Sequence, residues 1–497
     1  MRSFVKSLNP AFNMVSSCDI EEYSTILFQK EKADLKRKIA LCSHRVSISA
    51  CLWAPQGSQA SVKYICLSVH FIDSDWKLQR KIIKFGVFQP SITNLDRRLE
   101  SESGPFNVIR EAIIDWNLDQ KLFSLKSVSE IRNDERTSKL KDFLLGRKCL
   151  PIGGELYNTS CVSDVLDSII SKGQPMLHLA ADILERSIRA YMSSSLTQQQ
   201  LTEFKDMEMK CPEDNTKWWH QIYFGLEVLL NFKKAFPSEE LLSVKETKLV
   251  ESVCKILRAF YHAVEVICGP VCPTANVYFN ELWIVRRALE EEASTDNTEL
   301  SGMVWEMQEV FDEYWQISYV WLSIPVVLDP RFKVNFIEFR LKQAFGTDAV
   351  KYVSAVHDTI WELFLEYCNS DHKLSVHTSN REVHDVQFGG FYKDSLEDWD
   401  EHLNVHTRSQ VLAELTNYLD DAIVPRKDDF DILNWWMNNS TKYPTLSIMA
   451  RDVLAMPASA VHCETAFSSE GPVIHKQWST LNIKTIEALV CTRDWIK

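Results

Sequence analysis

Glycine and proline, which are enriched in long disordered tracts, are scarce in this chain: its 497 residues include 14 glycines and 16 prolines. A long apolar run is also lacking, since the longest, at 320–328, is far shorter than the ~20 residues of a membrane-spanning helix. Asn9 and Pro10 interrupt the apolar residues at the start of the chain, which therefore do not predict a signal peptide. With 45% hydrophobic residues, the composition predicts a soluble, folded protein that is not secreted.

An excess of positive charge is absent as well. The formal net charge of −13 opposes diffuse attraction to the phosphates of nucleic acid. DNA contact would need local basic patches, and two are present: one spans Lys30 to Lys38, and the other comprises Lys77, Arg80, Lys81 and Lys84. Because such clusters usually form solvated faces, DNA contact through them is the alternative interpretation.

No cysteines have the spacing of a zinc finger, although the chain contains 13 of them. Cys268 and Cys272 lie close together, but no suitably spaced second pair follows them. We expect buried, reduced thiols in an intracellular protein, and no metal site formed by these residues.

The order of predicted elements indicates a fold class. A chain of this length predicts two or three domains, or one core with a large insertion. Residues 19–41 have the apolar spacing of an amphipathic helix, and three strand-like runs follow at 46–54, 62–73 and 78–88. A helix near 106–116 leads to a fourth strand-like run at 121–129. This β-β-β-α-β order predicts the start of a ribonuclease H-like α/β core, although several other α/β folds begin similarly.

The rest of the chain is mainly helical. Apolar residues recur at helical spacing from about 175 to 370, and a polar segment at 370–408 predicts a mobile linker. We therefore divide the chain into an N-terminal helical segment at 1–45, the first part of the ribonuclease H-like core at 46–175, a mainly helical insertion with linker at 176–408, and a C-terminal segment at 409–497 that completes the core.

The C-terminal segment resembles the dimerisation region at the C-terminal end of hAT-family transposases. The resemblance rests on Phe430-Asp431-Ile432-Leu433, Trp435-Trp436, Tyr443-Pro444-Thr445-Leu446, Ala450-Arg451-Asp452, Met456-Pro457-Ala458-Ser459, Glu464, Phe467-Ser468, Glu487-Ala488-Leu489 and Asp494-Trp495. Two further blocks, Pro273-Thr274-Ala275-Asn276 and Leu328-Asp329-Pro330-Arg331-Phe332-Lys333, resemble parts of that family's helical insertion. The likeness covers nearly the whole chain and is greatest to the plant group of domesticated sleeper-type proteins.

Members of this group carry an N-terminal BED zinc finger that binds DNA. The block of Phe4, Leu8, Asn9 and Pro10 resembles the one that follows the finger. The resemblance therefore implies that the finger is missing, either through truncation of the gene product or through loss in evolution.

The same resemblance implies that the C-terminal segment pairs two chains, as a homodimer or as a heterodimer with related hAT proteins. From the residues alone, a protein core and an interface are equally good explanations of so much apolar surface. The residues expected to form the dimer contact are Trp435, Trp436, Tyr443, Pro444, Leu446, Ala450, Pro457, Phe467, Leu489 and Trp495.

Transposases of this family hold two divalent metal ions between three carboxylates. In this chain Cys51 precedes Leu52-Trp53, where the resemblance implies the first aspartate, and Lys126 stands where it implies the second. The third acid is retained as Glu464, whose ordinary role would be a surface charge or the partner of Lys126. Because a thiol and an ammonium are poor magnesium ligands, we expect no metal cofactor and no enzymatic activity. Magnesium would be required only if the chain were unexpectedly active.

Three functions remain to be compared. The first is a catalytically silent nuclear protein that dimerises and associates with DNA or chromatin. The second is an active transposase in which Asp73 or Asp164 replaces a lost ligand; Asp164 stands where the family has a histidine. The third is a protein-only interaction module without DNA binding. Localisation to the nucleus is implied by the resemblance alone.

Overall fold

The computed structural model describes residues 17–42, 44–55, 63–88, 105–131, 134–147, 150–154, 158–193, 217–235, 242–269, 274–295, 298–378, 413–427, 429–460, 473–474 and 481–496. Several predictions fall outside these ranges: the acid Glu464, the apolar residue Phe467, the block from Phe4 to Pro10, Cys272, and most of the predicted linker. None of the helices in the described part of the chain is long and apolar enough to cross a bilayer.

A mixed sheet forms the first half of the fold. Its strands are β1 (Val46–Pro55), β2 (Lys63–Ile72), β3 (Leu78–Phe88), β4 (Leu122–Ser127), β5 (Asn158–Ser160) and β6 (Val473–Ile474). Strands β1 to β3 form an antiparallel meander, whereas β4 pairs parallel to β1 and β5 parallel to β4. The spatial order is β3-β2-β1-β4-β5, with β6 paired to the end of β1. The predicted ribonuclease H-like sheet is therefore confirmed.

Three helices accompany this sheet: α1 (Ser17–Leu41), α2 (Pro105–Asp115) and α3 (Asp134–Gly146). Alternate residues of β1, including Val46, Ile48 and Ala50, are fully buried in the core that these elements share. Their period of two is the one that a strand needs to direct every second side chain to the same face.

The predicted all-α region is a second, larger core. Its helices are α4 (Val162–Lys172), α5 (Gln174–Ser193), α6 (Trp218–Ala235), α7 (Val244–Ile267), α8 (Tyr278–Ala293), α9 (Thr298–Val327), α10 (Lys333–Phe345) and α11 (Ala349–Thr378). Ser243 and Glu246 form a capping box that fixes the start of α7. Short 3-10 turns at Pro151–Gly154, Ala275–Val277 and Gly346–Asp348 connect some of these elements.

The C-terminal segment is divided between the two cores. After a helical stretch at 413–420, it contains α12 (Ile432–Asn439), α13 (Pro444–Leu454) and α14 (Ile483–Ile496). Helices α12 and α13 bury their apolar residues in the helical core, whereas α14 buries Ile486 and Cys491 in the core of the sheet. This segment therefore packs against both the sheet core and the helical core.

Candidate active site

The register of β1 against β4 locates the position where the two predicted metal-binding acids would meet. Ser49 is the partner of Lys126, and Ala50 is the partner of Ser127. One residue further on, the backbone nitrogen of Val128 donates to the carbonyl of Ala50 at 3.2 Å. Continuing this register places Val128 beside Cys51.

The assignment of Lys126 to the second acid stays a prediction. In this register Lys126 is two residues before the position opposite Cys51, or ~7 Å along the strand. Val128 is at that position and is 8% exposed. In the sequence, the run from Leu122 to Ser129 gives no sign of which residue ends beside Cys51, because this depends on the strand register.

Lys126 is instead covered by the helical core. Its side chain is 1% exposed, and its ammonium lies 3.9 Å from the ring centroid of Trp321 on α9. Trp321 is itself buried. A cation above the face of an indole is attracted to the electron-rich ring, most strongly where water is excluded. The helical core therefore closes over this face of the sheet.

Cys51 lies directly across from Cys66 on the neighbouring strand β2, and both thiols are buried. The hydrogen bond with Cys51 and burial raise the pKa of the Cys66 thiol well above its usual range. A thiol is a poor ligand for a hard divalent cation.

Small polar side chains continue along the same face of β1. Ser124 donates to the hydroxyl of Ser47 at 2.8 Å, and the hydroxyl of Ser49 is 2.8 Å from Nε2 of His70. These hydroxyls satisfy one another in the interior, as buried polar groups must. They present no carboxylate beside Cys51.

Asp164 is a described acid whose charge acts on Cys51. It lies in the first turn of α4, and its Oδ2 accepts a hydrogen bond of 2.7 Å from the backbone nitrogen of Ser129, which follows Val128. Burial raises the pKa of this carboxyl. Within the described ranges, no three His, Cys, Asp or Glu side chains are grouped to hold a metal ion.

Asp73 does not lie at this site. It belongs to the turn between β2 and β3, where its carboxylate accepts from the backbone of Asp75 and Lys77 and from the side chain of Gln79. From the partner of Cys51 on β2, it is seven residues along the strand, or roughly 20 Å. The prediction that Asp73 could replace a lost ligand is wrong.

The backbone that leads toward Glu464 runs beside the start of α4. The nitrogen of Val162 donates to the carbonyl of Ala458 at 2.9 Å, and the nitrogen of Ala460 donates to the sulfur of Cys161 at 3.3 Å. The position of Glu464 itself lies outside the described residues, so its role as retained acid stays a prediction.

Five of the ten residues predicted to contact a second chain are buried within this one. Trp436 is fully buried, and its indole nitrogen donates to the carbonyl of Leu328 at 3.0 Å. The other buried members are Tyr443, Leu446, Ala450 and Pro457. Direct partner contact by these side chains is therefore corrected to packing in the chain's own core. Trp435, Leu489 and Trp495 are partly buried, and Pro444 is exposed.

The two basic clusters are partly neutralised by acids of the same chain. Lys32 and Lys36 both contact Asp115, at 2.8 and 2.9 Å. In the second cluster, Lys84 contacts Glu487 at 3.0 Å. Lys81 also donates to the backbone carbonyl of Asp494 at 3.1 Å. The ion pairs with Asp115 and Glu487 reduce the positive charge that either patch offers to phosphates.

Comparisons with known proteins agree with this architecture. Three family models match the chain: ZBED1 RNase-like domain at 52–156, hAT-like transposase, RNase-H fold at 276–367, and hAT family C-terminal dimerisation region at 414–496. The first covers most of the sheet, and the second covers helices α8 to α10 and the larger part of α11.

Three curated relatives are similar over almost the entire chain. Zinc finger BED domain-containing protein RICESLEEPER 2 of Oryza sativa subsp. japonica is 29% identical over 523 residues, covering 100% of this chain and 71% of the relative. Zinc finger BED domain-containing protein DAYSLEEPER of Arabidopsis thaliana is 27% identical, covering 99% and 70%. Putative AC transposase of Zea mays is also 27% identical, covering 99% and 62%. The resemblance drawn from the sequence motifs is confirmed.

Proposed function

We propose that this chain, a transposase-derived protein of the hAT family that is homologous over its whole length to plant zinc finger BED domain-containing Sleeper proteins, does not cut DNA and acts by pairing. Its partner is a second copy or a related hAT-type chain. Its place of action is the nucleus.

The proposal that this chain does not cut DNA rests on the position of Val128 beside Cys51. Two-metal strand transfer needs hard oxygen ligands on both strands, since the metal ions activate the attacking water and stabilise the leaving oxygen. A thiol faces an isopropyl group here, and both are buried. The ammonium of Lys126, two residues before Val128, adds repulsion toward any cation.

A cleavage assay tests this proposal. The full chain should give no strand cleavage of hairpin or nicked DNA with Mg²⁺ or Mn²⁺ above the level seen without metal. The double variant Cys51→Asp and Val128→Asp should gain Mn²⁺ binding in electron paramagnetic resonance titrations, because it supplies two facing carboxylates. Metal-dependent cleavage by the wild-type chain would contradict the proposal if Asp164→Asn abolished it. The exposed control Asp348→Asn should leave such cleavage unchanged.

Pairing is supported by the match of 414–496 to the hAT family C-terminal dimerisation region. Trp436 and its buried neighbours pack this segment against the rest of the chain. We therefore assign pairing to its exposed apolar residues, among them Met437 on α12 and Pro444 at the start of α13. The segment without the rest of the chain would expose Trp436 and associate artificially. The test therefore uses the full chain.

Sedimentation velocity should give about twice the chain mass of 57.5 kDa. Met437→Asp should weaken the dimer at least tenfold, about 1.4 kcal/mol, because it places a charge in an apolar contact. Val350→Asp, at an exposed apolar position outside the segment, should have no effect. A wild-type monomer at roughly ten micromolar, where a dimer of ~1 μM dissociation constant would persist, contradicts the proposal.

DNA association separates this function from a protein-only module. Fluorescence anisotropy with duplex DNA at two salt concentrations distinguishes them, because binding through phosphates weakens steeply as salt rises. The partial neutralisation of both basic clusters favours weak binding by this chain alone. A fluorescent fusion that is excluded from the nucleus would contradict the proposed location.

A further inference from the structure

Two thiols face each other across the first two strands of the sheet. In the antiparallel register of β1 and β2, Cys51 is the direct partner of Cys66. The Cβ atoms of directly opposite residues in such strands are about 4.5 to 5.5 Å apart, and a disulfide spans about 3.5 to 4.5 Å between Cβ atoms. The two ranges meet, so a bond between these sulfurs needs only a small movement of the strands.

The two sulfurs are already in contact through a hydrogen bond. Both cysteines are free thiols, and the thiol of Cys66 donates to the sulfur of Cys51. This hydrogen bond lowers the pKa of Cys51, although burial opposes it. The positive charge of Arg80 also favours the thiolate at Cys51. Because the thiolate is the nucleophilic form, Cys51 is the sulfur that attacks an oxidant.

Access to the pair depends on the nearby end of the two strands. Cys51 and Cys66 are 4% and 1% exposed. Trp53 and Tyr64 form the next pair on the same face toward this end, and both are only partly buried. Strand ends open locally at a lower free-energy cost than strand centres. A small oxidant therefore reaches Cys51 when this end opens, whereas a bulky reagent requires wider opening.

Cys491 on α14 is a third thiol buried in the same core. Its charge acts on Cys66, so it is the competing partner for oxidation. Cys491 belongs to a helix and is not a register partner of either strand thiol. Cys51, by contrast, is held opposite Cys66 by a register that continues without a break from Ser47 to Trp53 on β1. Cys51 is therefore the favoured partner of Cys66.

We propose that Cys51 and Cys66 form a reversible oxidation site, at which a peroxide converts the two thiols into a cross-strand disulfide. The Cys51 thiolate attacks one peroxide oxygen and the O–O bond breaks. The leaving hydroxide takes up the proton that Cys51 gave up, which forms water and leaves a sulfenic acid on Cys51. The sulfur of Cys66 then attacks that of Cys51, and the S–O bond breaks. Its hydroxide leaves as a second water with the proton of Cys66.

The disulfide fastens the end of the β1–β2 hairpin. The two thiols lose two electrons, which the peroxide takes up, so no further co-reactant is needed. Because intracellular thiol buffers keep most thiols reduced, the disulfide is transient and is returned to two thiols by exchange with small thiols. The site is separate from the exposed residues of the C-terminal segment that we assign to pairing, and its oxidation does not require a second chain.

Peptide mapping tests the proposal on the folded, full-length chain. The chain is treated with hydrogen peroxide, its remaining thiols are alkylated, and trypsin digests it without a reductant. Cys51 lies in the tryptic peptide 46–63 and Cys66 in the next, 64–77, and neither peptide has another cysteine. Mass spectrometry should find these two peptides linked, with the loss of two hydrogen atoms. Dithiothreitol should separate them again.

The wild-type chain gives the decisive result, which does not depend on whether a variant folds. Cys51→Ala and Cys66→Ala should each abolish the link, whereas Cys254→Ala, at a thiol buried in the helical core, should leave it unchanged. The proposal is overturned if the folded wild-type chain gives no linked pair, if the link forms only after unfolding in urea, or if Cys66 is linked to Cys491 instead.

Discussion

Asn276 donates its side-chain amide to the carboxylate of Asp329 at 2.7 Å, across 53 residues of sequence. The Asp329 side chain is fully buried and also accepts from the backbone and guanidinium of Arg331. Nearby, the ammonium of Lys333 donates to the carbonyls of Tyr418 and Asp421, at the end of the helical stretch 413–420. The two sequence blocks that resemble the hAT insertion thus form one contact, which also holds the C-terminal segment.

Removing the Asp329 carboxylate should destabilise the protein strongly. Asp329→Ala leaves the partly buried guanidinium of Arg331 and the buried amide of Asn276 without their acceptor, and we expect a loss of about 3 kcal/mol in the free energy of unfolding. Urea unfolding followed by tryptophan fluorescence measures it. Glu338→Ala removes an exposed ion pair with Lys342 and should change the free energy by less than ~0.5 kcal/mol. Equal effects of the two variants would refute this role of Asp329.

The stability of the protein should depend on the ionisation of Asp452. This carboxyl is buried, and desolvation raises its pKa to about 7, although Tyr367 and the backbone of Arg45 donate to it and Arg45 and Arg451 lie nearby. The folded chain therefore holds a proton on Asp452 at pH values where the unfolded chain has lost it. Stability should consequently fall as pH rises from about 4 to about 7.

The variant Asp452→Asn should lack this component. Between pH 5 and 7 the wild-type chain should lose up to about 1.4 kcal/mol per pH unit relative to the variant, which corresponds to one proton. Urea unfolding at a series of pH values measures the difference. Asp358→Asn, at an exposed position on α11, should follow the wild-type curve. Parallel curves for wild type and Asp452→Asn would show that Asp452 does not titrate in this range.

The architecture was predictable because it depends on patterns that are local in the sequence. The apolar alternation of residues 46–54 and the helical spacing after 175 each identify an element without knowledge of its neighbours. The β-β-β-α-β order then indicates a sheet with a parallel fourth strand, as found.

The candidate site was less predictable because it depends on registers and burial. Val128, rather than Lys126, lies opposite Cys51 only because the register of β1 and β4 brings them together. In the same way, the sequence marks Trp436 as a large apolar residue but does not reveal whether its own core or a partner covers it.

The contact between Lys126 and Trp321 should be measurable as a coupling between two buried residues. A double-mutant cycle with Lys126→Met and Trp321→Leu isolates the cation–π attraction from the other contacts that each residue makes. We expect a coupling of about 1 to 2 kcal/mol, because water is excluded from both groups. Urea unfolding of the four chains gives the value, and additive effects within ~0.3 kcal/mol would exclude a significant attraction.

The last helix should protect the open edge of the sheet. The backbone nitrogen of Ile82 on β3 donates to the Asp494 carboxylate at 2.7 Å, and the indole of Trp495 donates back to the carbonyl of Ile82 at 2.7 Å. An exposed strand edge offers unpaired backbone groups to other chains. Within the described sheet, no further strand pairs with this edge of β3. Side chains of helix α14 cover it instead.

Trp495→Ala should release this edge. Loss of the indole removes its stacking on Phe28 and its hydrogen bond to Ile82, and we expect a destabilisation of about 3 kcal/mol. Amide hydrogen exchange should accelerate in β3 and in α1 while the helices from α7 to α9 stay protected, because the buried apolar side chains of α14 lie in the core of the sheet. Arg493→Ala, at an exposed position on the same helix, should leave exchange unchanged. Uniform acceleration throughout the chain would instead indicate global unfolding and contradict a local role for α14.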